Sequence, residues 1–421
     1  MSKNRMKVAM IGQKGIPAKQ GGIEKHVEEL SAQLAKAGFD VYVYSRPHYT
    51  ESTKIYPAKS NRTKIVSQTK LFNGAQKQKN TKIQEHQNKK INFYQGAEII
   101  NLPSINTKNL DAITHTFIAT IHALFQNYDI IHYHGVGPAL LSFIPRILKP
   151  SAKVIVTFHC IDRQHQKWGS FAKLMLAWGE RAACRFPHET IAISQALKKY
   201  CRYRYDTEAR YIPNGVAISE PRETEKYLVA NNLTAKSYLI AVSRLVRHKG
   251  IHTLIKAYNN LKTDKKLVII GAGANTDDYV SELKKLAQNN HQIIFAGQKS
   301  GEELATLFSN AYLFVQPSEA EGLSIALLEA MAYGVPIVIS NIEENREATE
   351  NLAVEFINKN PFDLAEKMAY ALANPEMMSA LADQAKKRAS EEYNWEAIVR
   401  NTADLYRQPL LAKKNLIWET K

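Results

Sequence analysis

Cysteine is scarce in this 421-residue chain: there are three, Cys160, Cys184 and Cys201, and none sits in a C-x-x-C or other metal-type spacing. So sparse and odd a set excludes a disulfide-stapled domain and a cysteine zinc centre, and it reads as reduced thiols in a cytoplasmic protein. Long apolar runs are missing too. The best candidate, Pro138 to Leu148, is short and carries Pro145 and Arg146, so no segment reaches the roughly 20 residues of a membrane span. Met6 to Ile11 runs straight into a buried strand, which leaves no signal-peptide pattern. No Asp-x-Asp occurs anywhere, nor a Walker-type phosphate loop, nor a nucleophile elbow. These absences remove an aspartate pair for a metal–diphosphate complex, P-loop chemistry and the hydrolase triad.

Acidic residues are scarce in one half only. Through Glu220 there are 32 Lys and Arg against 15 Asp and Glu, or +17, and from Pro221 onward 24 against 25, or −1, which together make the net +16. The stretch Glu51 to Gln95 alone carries ten basic residues against Glu51 and Glu85. The asymmetry predicts an anionic partner for the first half. A nucleic-acid-binding or other non-enzymatic anion-binding protein is one reading of that charge, although no RNA- or DNA-binding motif is present.

What is present is an alternation of short apolar runs and helical patterns. Lys7 to Ile11, Val41 to Ser45, Glu98 to Leu102, Asp129 to Tyr133, Lys153 to Phe158 and Thr190 to Ile193 read as strands, with helices such as Ile23 to Ala37, Leu110 to Gln126 and Phe171 to Cys184 between them. After Pro213-Asn214-Gly215 the pattern restarts, with strands at Tyr238 to Val242, Leu267 to Ile270, Gln292 to Phe295, Ala311 to Gln316 and Pro336 to Ile339. The expected class is α/β, two doubly wound, Rossmann-like parallel sheets whose ligand rims face each other across a cleft. The expected domains are 1–215, 216–395 and a terminal helix, 396–421, that crosses back to the first domain. The polar, basic stretch 52–90 reads as an inserted loop or lid.

Chemistry concentrates at the strand ends. Glu321 falls in the turn after one strand, and Glu329 about two turns into an apolar helix beginning near Leu323, where a charge needs a partner. Carboxylates at such a rim suit sugar hydroxyls, and the backbone N–H groups of Leu323 and Ser324 suit phosphate or sugar oxygens; a carboxylate serving only the helix dipole is the plainer reading. Arg244 and Lys249 follow another strand and are placed to neutralise a diphosphate, or else are solvated surface charges. Gly271-Ala272-Gly273 lacks the third glycine of a dinucleotide fingerprint. Gly21-Gly22 precedes a helix in the first βα turn, where backbone can approach a phosphate or sugar. His132, His134 and His159 cluster after two strands; nothing in the spacing supplies a fixed tetrahedral zinc set, and substrate contact by His134 and His159 competes with core packing. Trp168, Phe171, Met175 and Trp178 recur at helical spacing, which predicts a core face, the alternative being a membrane surface flanked by basic residues.

Taken together these residues resemble a family 4 retaining glycosyltransferase of the GT-B fold, over nearly the whole chain. Ser243-Arg244-Leu245 with Lys249-Gly250, then Gly271-Ala272-Gly273, Phe295-Ala296-Gly297, and Pro317-Ser318 with Glu321 and Glu329 occur in that family's order. Lys7 to Leu30, His132-Tyr133-His134-Gly135 and Lys167-Trp168-Gly169 are similar to a bacterial subgroup that includes rhamnosyltransferases of surface polysaccharides. The resemblance implies transfer from a nucleotide sugar with retention; the missing Asp-x-Asp leaves neutralisation to Arg and Lys, so no resident metal or other cofactor is expected. Arg244 and Lys249 would hold the diphosphate, Glu329 the ribose, and Glu321 with Leu323 and Ser324 the donor sugar. His159 would contact that sugar near its reacting carbon, with Gly21, Gly22, Gly271 and Gly297 also donor-side and His134 and Lys167 acceptor-side. The expected acceptor is a saccharide or lipid-linked saccharide in cell-surface polysaccharide synthesis, reached by a cytoplasmic enzyme peripheral to an anionic membrane surface. No nucleic-acid partner is expected. A GT-B epimerase or phosphorylase is the competing enzyme class. The basic stretch 52–90 departs from the family's pattern, so acceptor recognition does not carry over.

Overall fold

The structure is a computed structural model that describes residues 5–50, 92–107, 110–164, 169–218, 224–274 and 276–410. The stretch 52–90 and Lys167 lie outside the described residues. Among the described residues fourteen strands form two sheets. The first holds β1 (Lys7–Ile11), β2 (Asp40–Ser45), β3 (Asn92–Tyr94), β4 (Ala97–Asn101), β5 (Ile130–His134), β6 (Lys153–Phe158), β7 (Glu189–Ala192) and β8 (Arg210–Tyr211), in the order β3-β4-β2-β1-β5-β6-β7-β8. The second holds β9 (Tyr238–Val242), β10 (Lys266–Ile270), β11 (Ile293–Gly297), β12 (Leu313–Gln316), β13 (Ile337–Ser340) and β14 (Val354–Phe356), in the order β11-β10-β9-β12-β13-β14.

Among the described residues all pairings are parallel except β3 with β4. The sequence pattern passes over β3, β8 and β14 because each has only two or three residues, too few to display a period. The central strands are buried on both faces, as β6 is along its entire length, because helices cover each side of a parallel sheet.

Among the helices that flank the cleft and the first sheet are α1 (Gly22–Lys36), α2 (Asp111–Leu124), α3 (Phe143–Leu148), α4 (Ser170–Arg185), α5 (Ile325–Ala332) and α6 (Trp395–Arg407). Right-handed crossovers put α1 on one face of the first sheet and α2, α3 and α4 on the other. Although α6 follows the last strand of the second sheet, it packs beside α1 on the first. Its end is tied there by buried Lys153 of β6, whose Nζ donates to the carbonyls of Leu405 at 2.6 Å and Gln408 at 3.3 Å, and by His132 Nδ1 at 2.7 Å from the Tyr406 hydroxyl. A cation on the terminal carbonyls also complements the helix dipole. No helix among the described residues is long and apolar enough to cross a membrane.

One expectation is overturned. Phe171 is 76% and Trp178 56% exposed, so the aromatic stripe of α4 is not a core face. The face that α4 buries consists of Gly179, Glu180, Ala182, Ala183 and Cys184. Periodicity locates a stripe but does not say which stripe meets the sheet, and here small residues win because they let the helix approach backbone.

Gly179 shows how close that approach is: a Cβ there would overlap the carbonyl of Val136. Gly→Ala inside a helix normally gains about 1 kcal/mol, but overpacking against fixed backbone costs about 1 to 3 kcal/mol. Gly179→Ala is therefore expected to lower the urea midpoint of unfolding; an unchanged or higher midpoint would mean that α4 stands off from Val136.

Candidate functional site

The carboxyl ends of both sheets open on one cavity of about 560 Å³, lined by Gly21, Gly22 and Lys25 from the first half and by Arg244, Lys249, Gly271, Glu321, Leu323, Ser324 and Glu329 from the second. Each wall is a strand-to-helix turn. After β9 the chain turns through Arg244 to Lys249. After β10 it turns at Gly271, whose φ of 140° a β-carbon would oppose, and where such a carbon would also strike the Ser243 carbonyl. Gly297 ends β11 and does not line the cavity; its carbonyl accepts the Gly271 N–H at 2.8 Å, bracing the neighbouring turn, while Gln298, Lys299 and Ser300 form the wall.

After β12 the turn from Pro317 to Leu323 carries Glu321. Ser324 caps α5: its hydroxyl accepts the Leu327 N–H and donates to Gln316 Oε1 at 2.8 Å. The helix thus begins two residues later than the sequence predicts, and Glu329 lies in its second turn rather than about two turns in.

The charges are organised in pairs. Lys249 Nζ meets Glu321 Oε1 at 2.5 Å and Oε2 at 2.6 Å, and the Ser318 hydroxyl donates to Oε1 at 2.7 Å, so this carboxylate is fixed from two directions. Glu329 is buried and forms an ion pair with Lys25 across the cavity. Burial works against the charge of Lys25, but the carboxylates of Glu329, Glu29 and Glu28 together outweigh it and hold the amine above its ordinary pKa. Arg244 has no ion-pair partner among the described residues and presents an unbalanced cation to the cavity.

Behind this cavity lies a closed histidine group. His134 Nδ1 is 3.2 Å from His159 Nε2, and His134 Nε2 is 3.2 Å from Met10 Sδ. A sulfur offers no proton here, so His134 carries its proton on Nε2 and His159 donates to Nδ1. The His26 ring stands edge-on to His159 at 5.0 Å between centroids. Nitrogen atoms of His26, His134 and His159 lie within 4.8 Å of one another, the one grouping among the described residues with three candidate metal ligands of this kind. His134 and His159 already satisfy each other, and no carboxylate among the described residues orients either ring, so packing accounts for the pair as it stands. Neither His134 nor His159 lines the cavity; the loop after His159 meets the second half instead, where Gly322 presses on the His159 carbonyl so closely that a β-carbon would not fit.

Sequence reasoning missed Lys25 and His26. Both sit within the first five residues of α1, just past the glycine pair, and that position was their only signal.

The family model "Glycosyltransferase Family 4" matches residues 20–220, and "Glycosyl transferases group 1" matches 224–388. An uncharacterized glycosyltransferase of Methanocaldococcus jannaschii is 31% identical over 173 residues, 40% of this chain and 44% of its own length, so the chain spans less than half of that relative. Alpha-maltose-1-phosphate synthase of Mycobacterium tuberculosis is 25% identical over 66% of this chain and 79% of its own. The O-antigen biosynthesis glycosyltransferase WclY of Escherichia coli is 25% identical over 59% and 71%. Among solved structures, sucrose-phosphate synthase from Thermosynechococcus elongatus superposes with a TM-score of 0.74 at 21% identity, covering 96% of this chain and 99% of its own. Anabaena Alr3699/HepE, in complex with UDP and glucose, gives 0.71 at 18% identity, covering 95% and 99%. These likenesses show the GT-B fold.

Burial pushes the His26 pKa down to about 4, against a smaller upward pull from Asn214, and holds His134 and His159 well below the ordinary value. In the unfolded chain a histidine titrates near about 6.5. Between those values the unfolded state binds a proton that the folded state refuses, so stability is full above pH 6.5 and falls as pH drops toward 4. Urea midpoints at pH 7 and pH 5 should show this loss, and His26→Gln should narrow the gap between them. An equal gap in the variant would mean that His26 is not held neutral.

Proposed function

From the premise that this chain is a family 4, group 1 retaining glycosyltransferase of the GT-B fold that uses a nucleotide sugar, we propose that it transfers a sugar to a saccharide or lipid-linked saccharide of cell-surface polysaccharide synthesis. The observation carrying the reading of the site is the single cavity that gathers Arg244, Lys249, Glu321 and Glu329. The unbalanced Arg244 receives the donor diphosphate together with Lys249, and their charge stabilises the departing nucleotide. One oxygen of Glu329 holds Lys25, which leaves the other for ribose hydroxyls. Glu321, anchored by Ser318 and Lys249, faces the donor sugar with the backbone of Leu323 and Ser324, and Gly21 and Gly22 let the α1 turn close over it.

The acceptor hydroxyl attacks from the face that the diphosphate leaves, so configuration is retained without a protein nucleophile, and the proton passes to the leaving phosphate oxygen. The first half, 1–215, is the acceptor side, with Lys167 as a contact, and α6 packs back against it. A UDP-sugar is the first donor to test, since a structural neighbour carries UDP and glucose. The likeness to WclY favours a surface-polysaccharide acceptor, and the basic first half favours an anionic one at the inner face of a membrane. Nucleotide release from a UDP-sugar that depends on an added acceptor tests the transferase reading; release without one, or inversion at C2 or C4 of the sugar, would favour a hydrolase or an epimerase.

Arg244→Ala should remove a charge-assisted contact worth about 1.5 to 3 kcal/mol, lowering turnover roughly 10- to 150-fold with an unchanged melting temperature. Glu329→Gln should weaken nucleoside diphosphate binding by calorimetry, because an amide accepts ribose hydroxyls less well than a carboxylate. Parental values in either variant would return that residue to a structural role.

Turnover should survive EDTA, the cations Arg244 and Lys249 standing where a metal would otherwise neutralise the diphosphate. Loss that added magnesium or manganese restores would overturn this.

A further inference from the structure

The helices α2, α3 and α4 cover one face of the first sheet, and their outer surface is apolar. Ile113 and Phe117 of α2 are 62% and 50% exposed, and Ile147 of α3 is 58% exposed; on α4, Phe171, Leu174 and Trp178 all point outward. The three helices are neighbours: α2 contacts α3, the Phe143 and Phe186 rings join α3 to the end of α4 at 5.7 Å, and Arg146 Nε donates to the Phe186 carbonyl at 3.1 Å. Single exposed apolar side chains are ordinary, but a run of large ones across adjacent helices is not.

Charge narrows the occupant. Every exposed charge on α4 is positive, namely Lys173, Arg181 and Arg185, while its one carboxylate, Glu180, is fully buried against Arg163 Nε at 3.0 Å and the hydroxyls of Tyr200 and Tyr205. A helix with outward Phe, Leu and Trp beside Lys and Arg, and no outward acid, matches the chemistry of an interfacial helix on anionic lipid. Position agrees: α4 follows β6, so its first turn, with Phe171, lies at the strand-end rim where the cleft opens.

We infer that this face is a docking surface for an anionic lipid bilayer, seating the mouth of the cleft at the headgroups. The inference deepens the proposed reading of a membrane-borne acceptor and rests on it for its purpose, but not for its test.

The full chain is sedimented with vesicles of phosphatidylcholine alone and with one quarter phosphatidylglycerol. Binding is expected to the second set, with a blue shift of tryptophan emission and quenching by brominated acyl chains that Trp178→Phe largely abolishes. Phe171→Ser, Leu174→Gln and Trp178→Gln together should reduce partitioning at least tenfold at fixed salt, and Lys173, Arg181 and Arg185 changed to Gln should abolish the preference for anionic vesicles. The inference is overturned if the apolar triple variant binds like the parent, or if the parent ignores both vesicle sets. It is equally overturned if light scattering shows a dimer that the triple variant loses, which would make a second copy the occupant. Calorimetry with UDP in vesicle-free buffer separates the two readings: lost nucleotide binding faults the proposed function, and lost vesicle binding alone faults the docking face.

Discussion

A carboxylate set in an almost wholly apolar helix must find a cation, and in this protein the cation comes from the other half of the molecule. Glu329 lies among Leu327, Leu328, Ala330 and Met331, all buried, and its partner is Lys25 of α1. Removing one partner of such a pair leaves a buried charge uncompensated, which is far costlier than losing the attraction itself. The two sheets are therefore linked at the place where their strand ends open. Close backbone approach of Gly322 to His159 and the Asn214 side chain donating to the Leu323 carbonyl at 3.0 Å reinforce the same junction.

That junction gives the cavity its electrostatic character. Of the cations Lys25, Lys249 and Arg244, the first two are matched by carboxylates, Lys25 by Glu329 and Lys249 by Glu321, and Arg244 is left over. The pairs hold their carboxylates in fixed orientations without occupying the unbalanced guanidinium, whose planar fork suits a phosphate. That arrangement supports the proposed reading of a site for an anion that also carries hydroxyls. Helix α6 adds rigidity from behind, since it ties to β5 and β6 through His132 and Lys153 and sets Trp395 against His26 at 5.8 Å between ring centroids.

The outer layer of the first sheet follows from a different constraint. Helix α4 must pass close over Val136, so Gly179, Ala182 and Ala183 take the inner face and the large side chains are turned outward. Close packing on one side of the helix thereby creates the apolar surface on the other.

Strands of four or more residues, the restart after Gly215 and the residues at strand ends were legible in the sequence, because apolar runs and strand-to-helix turns are local properties of the chain. Arg244, Lys249, Glu321 and Glu329 could be singled out for the same reason: each follows a strand or sits in a helix whose other residues are apolar. Short edge strands were not legible, since two or three residues carry no period. Nor was the partner of Glu329, which is 304 residues away in sequence, nor the meeting of His26 with His134 and His159, nor the outward turn of Phe171 and Trp178. Local pattern determined which elements form and where charge and glycine punctuate them. Which face of each helix met the sheet, and which ions met across the cleft, was decided only by packing, because those choices depend on the shape and charge of segments distant along the chain.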